Sequence, residues 1–415
     1  MDLKIKEVRA YPIKDSRGNP TVEVELSSNK FSVKAAVPSG ASTGIYEAHE
    51  LRDKDGRGVN LAVKNVNRTI RGYMIGEDVT NQSAIDKMLI DLDGTRNKRR
   101  LGANAILGVS LAAARLRAKV LGKSLYASLG KSTVLPIPFM NIINGGRHAN
   151  NGLCFQEFMI VPRFKTFKES LSGGISVYNE LKQIIGRRYG RSGLILGDEG
   201  GFAPHVKDQY EALDLIVKAI DKLGYSKNVK IAMDCAASEF YKTNIFGKSY
   251  YYVNGKKLEY HKLVEIYEKL LSEYPIVSIE DPFAQDNFSE FSRFKKDFGR
   301  KAQIVGDDLL VTNISRIHKA IEYDACNGLL LKVNQIGTLT EAIGAAKLAM
   351  SQKWGVMVSH RSGETMDPFI SDLAVGIGTG QIKSGAPNKP ERLAKYNRLV
   401  AIEKELGSKA RMGSL

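Results

Sequence analysis

In the first third of the chain, apolar residues recur at every second position in LKIKEVRAYPI, TVEVEL and FSVKAAV, and the turn-forming segments DSRGNP and SSNK separate these runs. Alternation with period two puts one face of a strand on a core, and clusters of Gly, Asn, Asp and Pro reverse the chain. The pattern therefore predicts an antiparallel meander of three strands. The period then lengthens. VNLAVKNVNRTIRGYMI, AIDKMLIDLDG and GANAILGVSLAAARLRAKVLG read as helices, the last rich in small residues and so expected to pack closely against a neighbour. Strands followed by helices predict an α+β domain over residues 1–135, ended by PIPFMNIIN with Pro136 and Pro138.

The second half has a different rhythm. Six short apolar runs each end in an ionisable residue: IAMD at Asp234, PIVSIE at Glu280, QIVGD at Asp307, GLLLK at Lys332, GVMVSH at His360 and GQIK at Lys383. The intervals of 46, 27, 25, 28 and 23 residues suit one strand, one covering helix and two short loops. Residues 136–415 are thus expected to form an α/β barrel of the (β/α)8 kind, in which every parallel strand delivers its carboxyl end to one mouth. A charged residue after a strand is ordinary when 26% of the chain is charged. Six in succession favour a shared site.

Length and composition fit two domains. At 415 residues the chain exceeds one ordinary core, and a hydrophobic content of 43% excludes a disordered one. No apolar run approaches the roughly 20 residues that span a bilayer, and MDLKIKEVRA lacks the apolar segment of a secretory signal. Cys154, Cys235 and Cys326 are an odd number without paired spacing, which disfavours a disulfide framework and fits a reducing cytoplasm. The net charge of +16 raises nucleic acid as a partner, but only RNKRR at 96–100 is dense. Most other cations alternate with acids, as in EIYEKLLSEY, so specific nucleic-acid binding is disfavoured, while a basic field would draw in a small anionic substrate.

Asp234, Glu280 and Asp307 brought to one mouth would repel, and at least one would protonate unless a cation joined them. Three carboxylates are an all-oxygen ligand set, which suits magnesium, manganese or calcium better than zinc or copper. The neighbouring Asp281 and Asp308 read as helix caps or lysine partners. Lys332 and Lys383 admit two readings: a lysine made neutral by burial and like charge, able to take a proton, or a counterion of the acids. One division makes Lys332 the base and leaves Lys383 to bind a substrate carboxylate. Glu157 in CFQEFMIVP and Glu199 in LILGDEGGFAP lie in or beside apolar runs, where a carboxyl of raised pKa could protonate a leaving hydroxyl; Asp198 competes with Glu199. His360, Arg361 and Ser362 offer a guanidinium and a hydroxyl to a phosphate. His148 in NGGRHANN is either a proton-transfer or phosphate group or a solvated loop residue. VPSGASTG, residues 37–44, lacks the Lys of a phosphate-binding loop and reads as a mobile lid or a plain connection.

In this order DSRGNPTVEVEL, VPSGASTG, LGANAILGVSLA, QEFMIVP, GDEGGFAP, AASEFY, IEDPF, GDDL, LKVNQIGTLTEA, SHRSGET and GAPNKPERLAKYN resemble the enolase family over nearly the whole chain. The resemblance implies a capping α+β domain and a modified barrel opening with two strands and two helices, with LILGDEGG an active-site loop. It implies reversible dehydration of 2-phosphoglycerate to phosphoenolpyruvate, with Lys332 as base and Glu199, assisted by Glu157, as acid. It further implies two magnesium ions per site, the first on Asp234, Glu280 and Asp307, the second arriving with substrate and held by Ser42. His148, Gln156, Arg361, Ser362 and Lys383 match substrate contacts, and an oligomer of at least two chains is expected. The chain departs from the family in a shorter loop at LRDKDGRGVN, and in Cys235, Met366 and GAPNK; none removes a group from the site. Other acid-sugar dehydratases or racemases of the superfamily should lack the lid and SHRSGET together. A surface receptor without catalysis need not keep Lys332 and Glu199.

Overall fold

The computed structural model describes residues 3–41 and 44–415. The meander forms as its alternation requires: β1 (Glu7–Lys14), β2 (Pro20–Ser27) and β3 (Ser32–Ala36) pair antiparallel in sequence order. Val22, Val24 and Leu26, at every second position of β2, are wholly buried beneath the small-residue helix Ala103–Val120. Gly108 of that helix is one reason they can approach, because a Cβ there would stand 2.5 Å from Val24 Cγ2. The first helical segment departs from a plain α-helix. It runs as α over Asn60–Lys64, as π over Asn65–Ile70 and as α again over Arg71–Met74. Asn67, inside the π turn, accepts from the amide of Ala10 at 2.7 Å and donates to its carbonyl at 3.0 Å, which anchors the wider turn to β1.

Eight strands close the barrel: β4 (Ile137–Asn144), β5 (Glu157–Pro162), β6 (Val229–Asp234), β7 (Ile276–Glu280), β8 (Gln303–Gly306), β9 (Gly328–Leu331), β10 (Gly355–Ser359) and β11 (Gly380–Lys383). β5 runs antiparallel to both neighbours and all other pairs are parallel. Two helices, Phe167–Tyr189 and Gln209–Lys222, follow β5 in succession, so the unit opens β-β-α-α before regular alternation begins. The stretch LILGDEGG adds no ninth strand and crosses the mouth as a loop.

Strand periodicity explains how the mouth is furnished. Phe139, Met159, Ala232, Val305 and Leu330 belong to the small apolar cluster that fills the barrel interior. The residue two positions away towards the mouth on the same strand keeps that inward side. Those residues are Asn141, Glu157, Asp234, Asp307 and Lys332. Behind the strands, Phe283, Phe291, Phe294 and Tyr267 pack with ring centroids 5.4–6.0 Å apart and are essentially inaccessible. Truncating Phe291 to Ala should destabilise the barrel by about 3–5 kcal/mol, measurable as a lower urea midpoint.

The meander domain docks on the mouth through buried polar contacts. Asp86 accepts from the amide and hydroxyl of Thr340 at 2.8 and 2.6 Å, Lys98 pairs with Glu341 at 3.0 Å, and Arg115 grips Asp367. Residues 39–41 meet the SHRSGET loop: Ser39 and Gly363 exchange backbone hydrogen bonds at 2.8 Å, and the Ala41 amide donates to Ser362 Oγ at 2.7 Å. Gly40 is required by close approach, since a Cβ there would collide with the Arg361 guanidinium. Among the described helices none is long and apolar enough to cross a membrane, and the three cysteines are free thiols.

Candidate active site

The mouth is a tight, charged enclosure. His148, Gln156, Glu157, Glu199, Lys332, His360, Arg361, Ser362 and Lys383 all line one cavity of about 10 Å3, room for roughly one water. Lys383, at the end of β11 and 2% exposed, reaches across to three carboxylates: Glu280 Oε2 at 2.9 Å, Glu157 Oε2 at 3.0 Å and Asp234 Oδ2 at 3.3 Å. Lys332 pairs with Asp307, whose other oxygen accepts from Gln335 Nε2 at 2.8 Å. Burial alone would drive both ammonium groups toward the neutral form. The carboxylates outweigh it, and both lysines are held above their usual pKa, Lys383 far above. In this arrangement the lysines are counterions.

The acids bear the opposite strain. Burial first, then repulsion from Asp234, lifts Glu280 well above the carboxylate range. Glu157 is raised by burial and by Glu199, with Lys383 opposing. Burial also pushes Glu199 up, but His360, His148 and Lys383 pull it well below that range. The imidazoles exert that pull only while protonated, and burial drives both toward neutrality. What remains near neutral pH is the order within the pair, with Glu157 the more basic carboxylate. Glu199, Glu157 and His148 have oxygen and nitrogen atoms within 4.8 Å of one another. Asp198 is not part of that group.

His360 is fixed by a residue the sequence reading did not single out. Arg392, fully buried, places Nη1 2.6 Å from His360 Nδ1 and donates to the carbonyls of Arg361 and Ser362 at 2.7 and 2.6 Å. A guanidinium cannot accept, so Nδ1 must be the acceptor and Nε2 carries the proton, facing Glu199 Oε2 at 3.3 Å. Burial lowers the ring's pKa to about 4. It should stay neutral at pH 5, read from its ring carbon shifts by NMR, and Arg392→Gln should raise its midpoint. Because the folded value lies below the unfolded value near 6.5, the neutral ring's contribution of about 3 kcal/mol is complete above that pH and lost as pH falls toward 4.

Other groups emerge only in three dimensions. Glu47, just past the 37–44 segment, sits against the Arg361 guanidinium at 2.9 and 3.1 Å, where a substrate phosphate was expected, and Asn334 Oδ1 accepts from the same side chain at 3.0 Å. Asn141 donates to Glu199 Oε2 at 3.0 Å. Asp281 neither caps a helix nor pairs with a lysine: its oxygens accept the amides of Asp307 and Asp308 at 3.0 and 2.7 Å, bracing the backbone that presents Asp307. Ser42 lies outside the described residues.

A cation fits the chemistry of Asp234, Glu280 and Asp307. All three are buried oxygen donors, adjacent strands hold Asp234 and Glu280 in register, and an ammonium already stands between those two. Cys235 follows Asp234, but its thiol meets Tyr267 instead. A second close acidic set is Asp281, Asp307 and Asp308, each with an oxygen within 4.8 Å of the others.

A closed barrel under an α+β cap, with two lysines, a pair of acids and two histidines in one cavity at its mouth, defines the barrel-and-cap class of acid–base enzymes. The particular family follows from comparison. The enolase N-terminal domain model matches residues 5–129 and the enolase C-terminal TIM barrel domain model residues 132–414. The enolase of Methanopyrus kandleri is 53% identical over 420 residues, covering 99% of this chain and 98% of its own length. The enolase of Methanocaldococcus jannaschii is 53% identical over 414 residues, covering 98% and 96%. The chain belongs to the enolase family of lyases.

Proposed function

We propose that this protein reversibly dehydrates 2-phosphoglycerate to phosphoenolpyruvate, a magnesium-dependent step of glycolysis and gluconeogenesis in the cytoplasm. The observation that carries the reading is the placement of Lys332 and the Glu157–Glu199 pair in one cavity lined also by Arg361 and Ser362. The carbon-2 proton of the substrate is weakly acidic, because its loss adds a second charge to the adjacent carboxylate. Asp234, Glu280 and Asp307 would hold one magnesium ion and Ser42 a second, and the positive charge held there would offset it.

The chain's own residues do the rest. With Asp307 engaged elsewhere, Lys332 loses the partner that keeps it charged, and its amine takes the carbon-2 proton. Lys383, released from Glu280, stays protonated and orients the substrate carboxylate together with Gln156, whose Nε2 is a donor that now reaches Asp234 Oδ2 at 3.3 Å. Glu157, the more basic of the pair, hands its proton to Glu199, which gives it to the carbon-3 hydroxyl as the carbon–oxygen bond breaks and water leaves, while His148 and neutral His360 hold Glu199 in place. Arg361 and Ser362 take the phosphate as Glu47 gives way. In this reading residues 1–135 cap the site, residues 136–415 carry the chemistry, and the working form is a homo-oligomer of at least two chains.

The test is the ultraviolet absorbance of the product. Purified protein given 2-phosphoglycerate and magnesium should generate phosphoenolpyruvate, and a chelator should stop it until magnesium is restored. Absence of product with magnesium present would reject the reading.

A further inference from the structure

At the amino-terminal ends of the strands, on the face opposite the catalytic mouth, two cavities of about 680 and 240 Å3 meet at Arg163. Their charged lining is Arg163, Lys227, Lys230, Arg300, Lys301 and Lys353, with no Asp or Glu in either. Three other cavities each contain a glutamate: Glu47 in two of them, Glu157 and Glu199 at the catalytic mouth. With 61 basic and 45 acidic side chains in the chain, six charged residues drawn at random would all be basic about 4 times in 100.

None of the six has an ion-pair partner among the described residues; Lys230 reaches only the Ser226 carbonyl, at 3.3 Å, and Lys301 lies over the Phe298 ring. Helix ends do not absorb this charge. Three helices, Gln209–Lys222, Phe288–Phe298 and Leu339–Ser351, end shortly before Lys227, Arg300 and Lys353, and at about half a negative charge each they offset roughly 1.5 of the six. One negative charge at a free carboxyl terminus beside Leu415 would still leave a surplus. The larger cavity has a firm polar floor, because Gln303 and Gln381 join their amides reciprocally at 2.8 and 3.0 Å.

We propose that this face binds a short linear oligophosphate whose linked phosphates lie across both cavities at Arg163. The larger cavity is of the size that holds one small molecule, and several fixed cations around a concave surface concentrate a multiply charged anion there. A single-stranded nucleic acid is disfavoured, because it needs successive exposed aromatic faces, whereas Trp354 is only 8% exposed and Phe164 is half-buried. The site accounts for part of the positive surplus that catalysis leaves unused.

Trp354, the only Trp in the chain, lines the larger cavity and reports on it. The probe is inorganic tripolyphosphate, titrated into the metal-free full chain at about 0.1 M salt and followed by Trp fluorescence and calorimetry. Saturable binding with Kd below about 100 μM is expected. Binding should weaken at least about tenfold in R300E/K301E, and in the milder R163Q/K353Q if the reversal fails to fold, while magnesium-dependent turnover is unchanged. An ATP arm identifies the source: equal affinity points to a nucleotide, and preference for tripolyphosphate to a free chain. No calorimetric binding, undiminished binding in folded variants, or binding of an RNA oligomer but not tripolyphosphate would overturn the proposal. A lowered melting temperature with unaltered affinity would assign the cations to helix ends instead.

Discussion

Lys332→Ala is expected to lower kcat by about 10²–10⁴-fold, with little change in KM, because a positioned base is needed only as the carbon–hydrogen bond breaks. The side chain is 12% exposed and follows directly on β9, so no bulk water can substitute efficiently. The fold should survive, since Asp307 keeps the hydrogen bond from Gln335. Lys332→Arg separates the two readings of this lysine. A guanidinium preserves the charge opposite Asp307 but does not release a proton near neutral pH, so Arg should be as inactive as Ala if Lys332 is the base. Substantial rescue by Arg, measured by the same absorbance assay, would make it a counterion.

Glu280→Gln should remove both turnover and the response to magnesium. Turnover is expected to fall by at least about 10²-fold, the usual loss when a group stabilising developing charge is removed. In the native chain magnesium should raise the melting temperature, since an ion at about 100 times its Kd adds roughly 2.7 kcal/mol. The variant should show no such rise. Its metal-free form should stay folded, because Lys383 keeps Glu157 and Asp234 as ion-pair partners. A magnesium-induced rise that persists in Glu280→Gln would move the ion elsewhere in the mouth.

Strand periodicity made much of this legible. The apolar runs ending at Asp234, Glu280, Asp307, Lys332, His360 and Lys383 are strands, and a barrel brings their ends together whatever their separation in sequence. The opening β-β-α-α unit was not visible in the spacing and entered through the family resemblance, because antiparallel β5 reads like any other buried strand. Groups acting across domains were also hidden. Glu47 meets Arg361 from 314 positions away, and Arg392 fixes His360 from the start of the last helix. Asn141 did leave a signal, a lone amide in the apolar run PFMNII. Which carboxylates Lys332 and Lys383 pair with could not be read from sequence, since it depends on which of several acids at the mouth lie within reach.

The most direct test of the assigned chemistry is incorporation of solvent deuterium at carbon 2 of 2-phosphoglycerate, followed by NMR in magnesium buffer. Glu199→Gln should exchange that hydrogen measurably while forming almost no phosphoenolpyruvate, and Lys332→Ala should do neither. Equal loss of exchange in the two variants, or exchange undiminished in Lys332→Ala, would contradict the division of labour between the lysine and the paired acids.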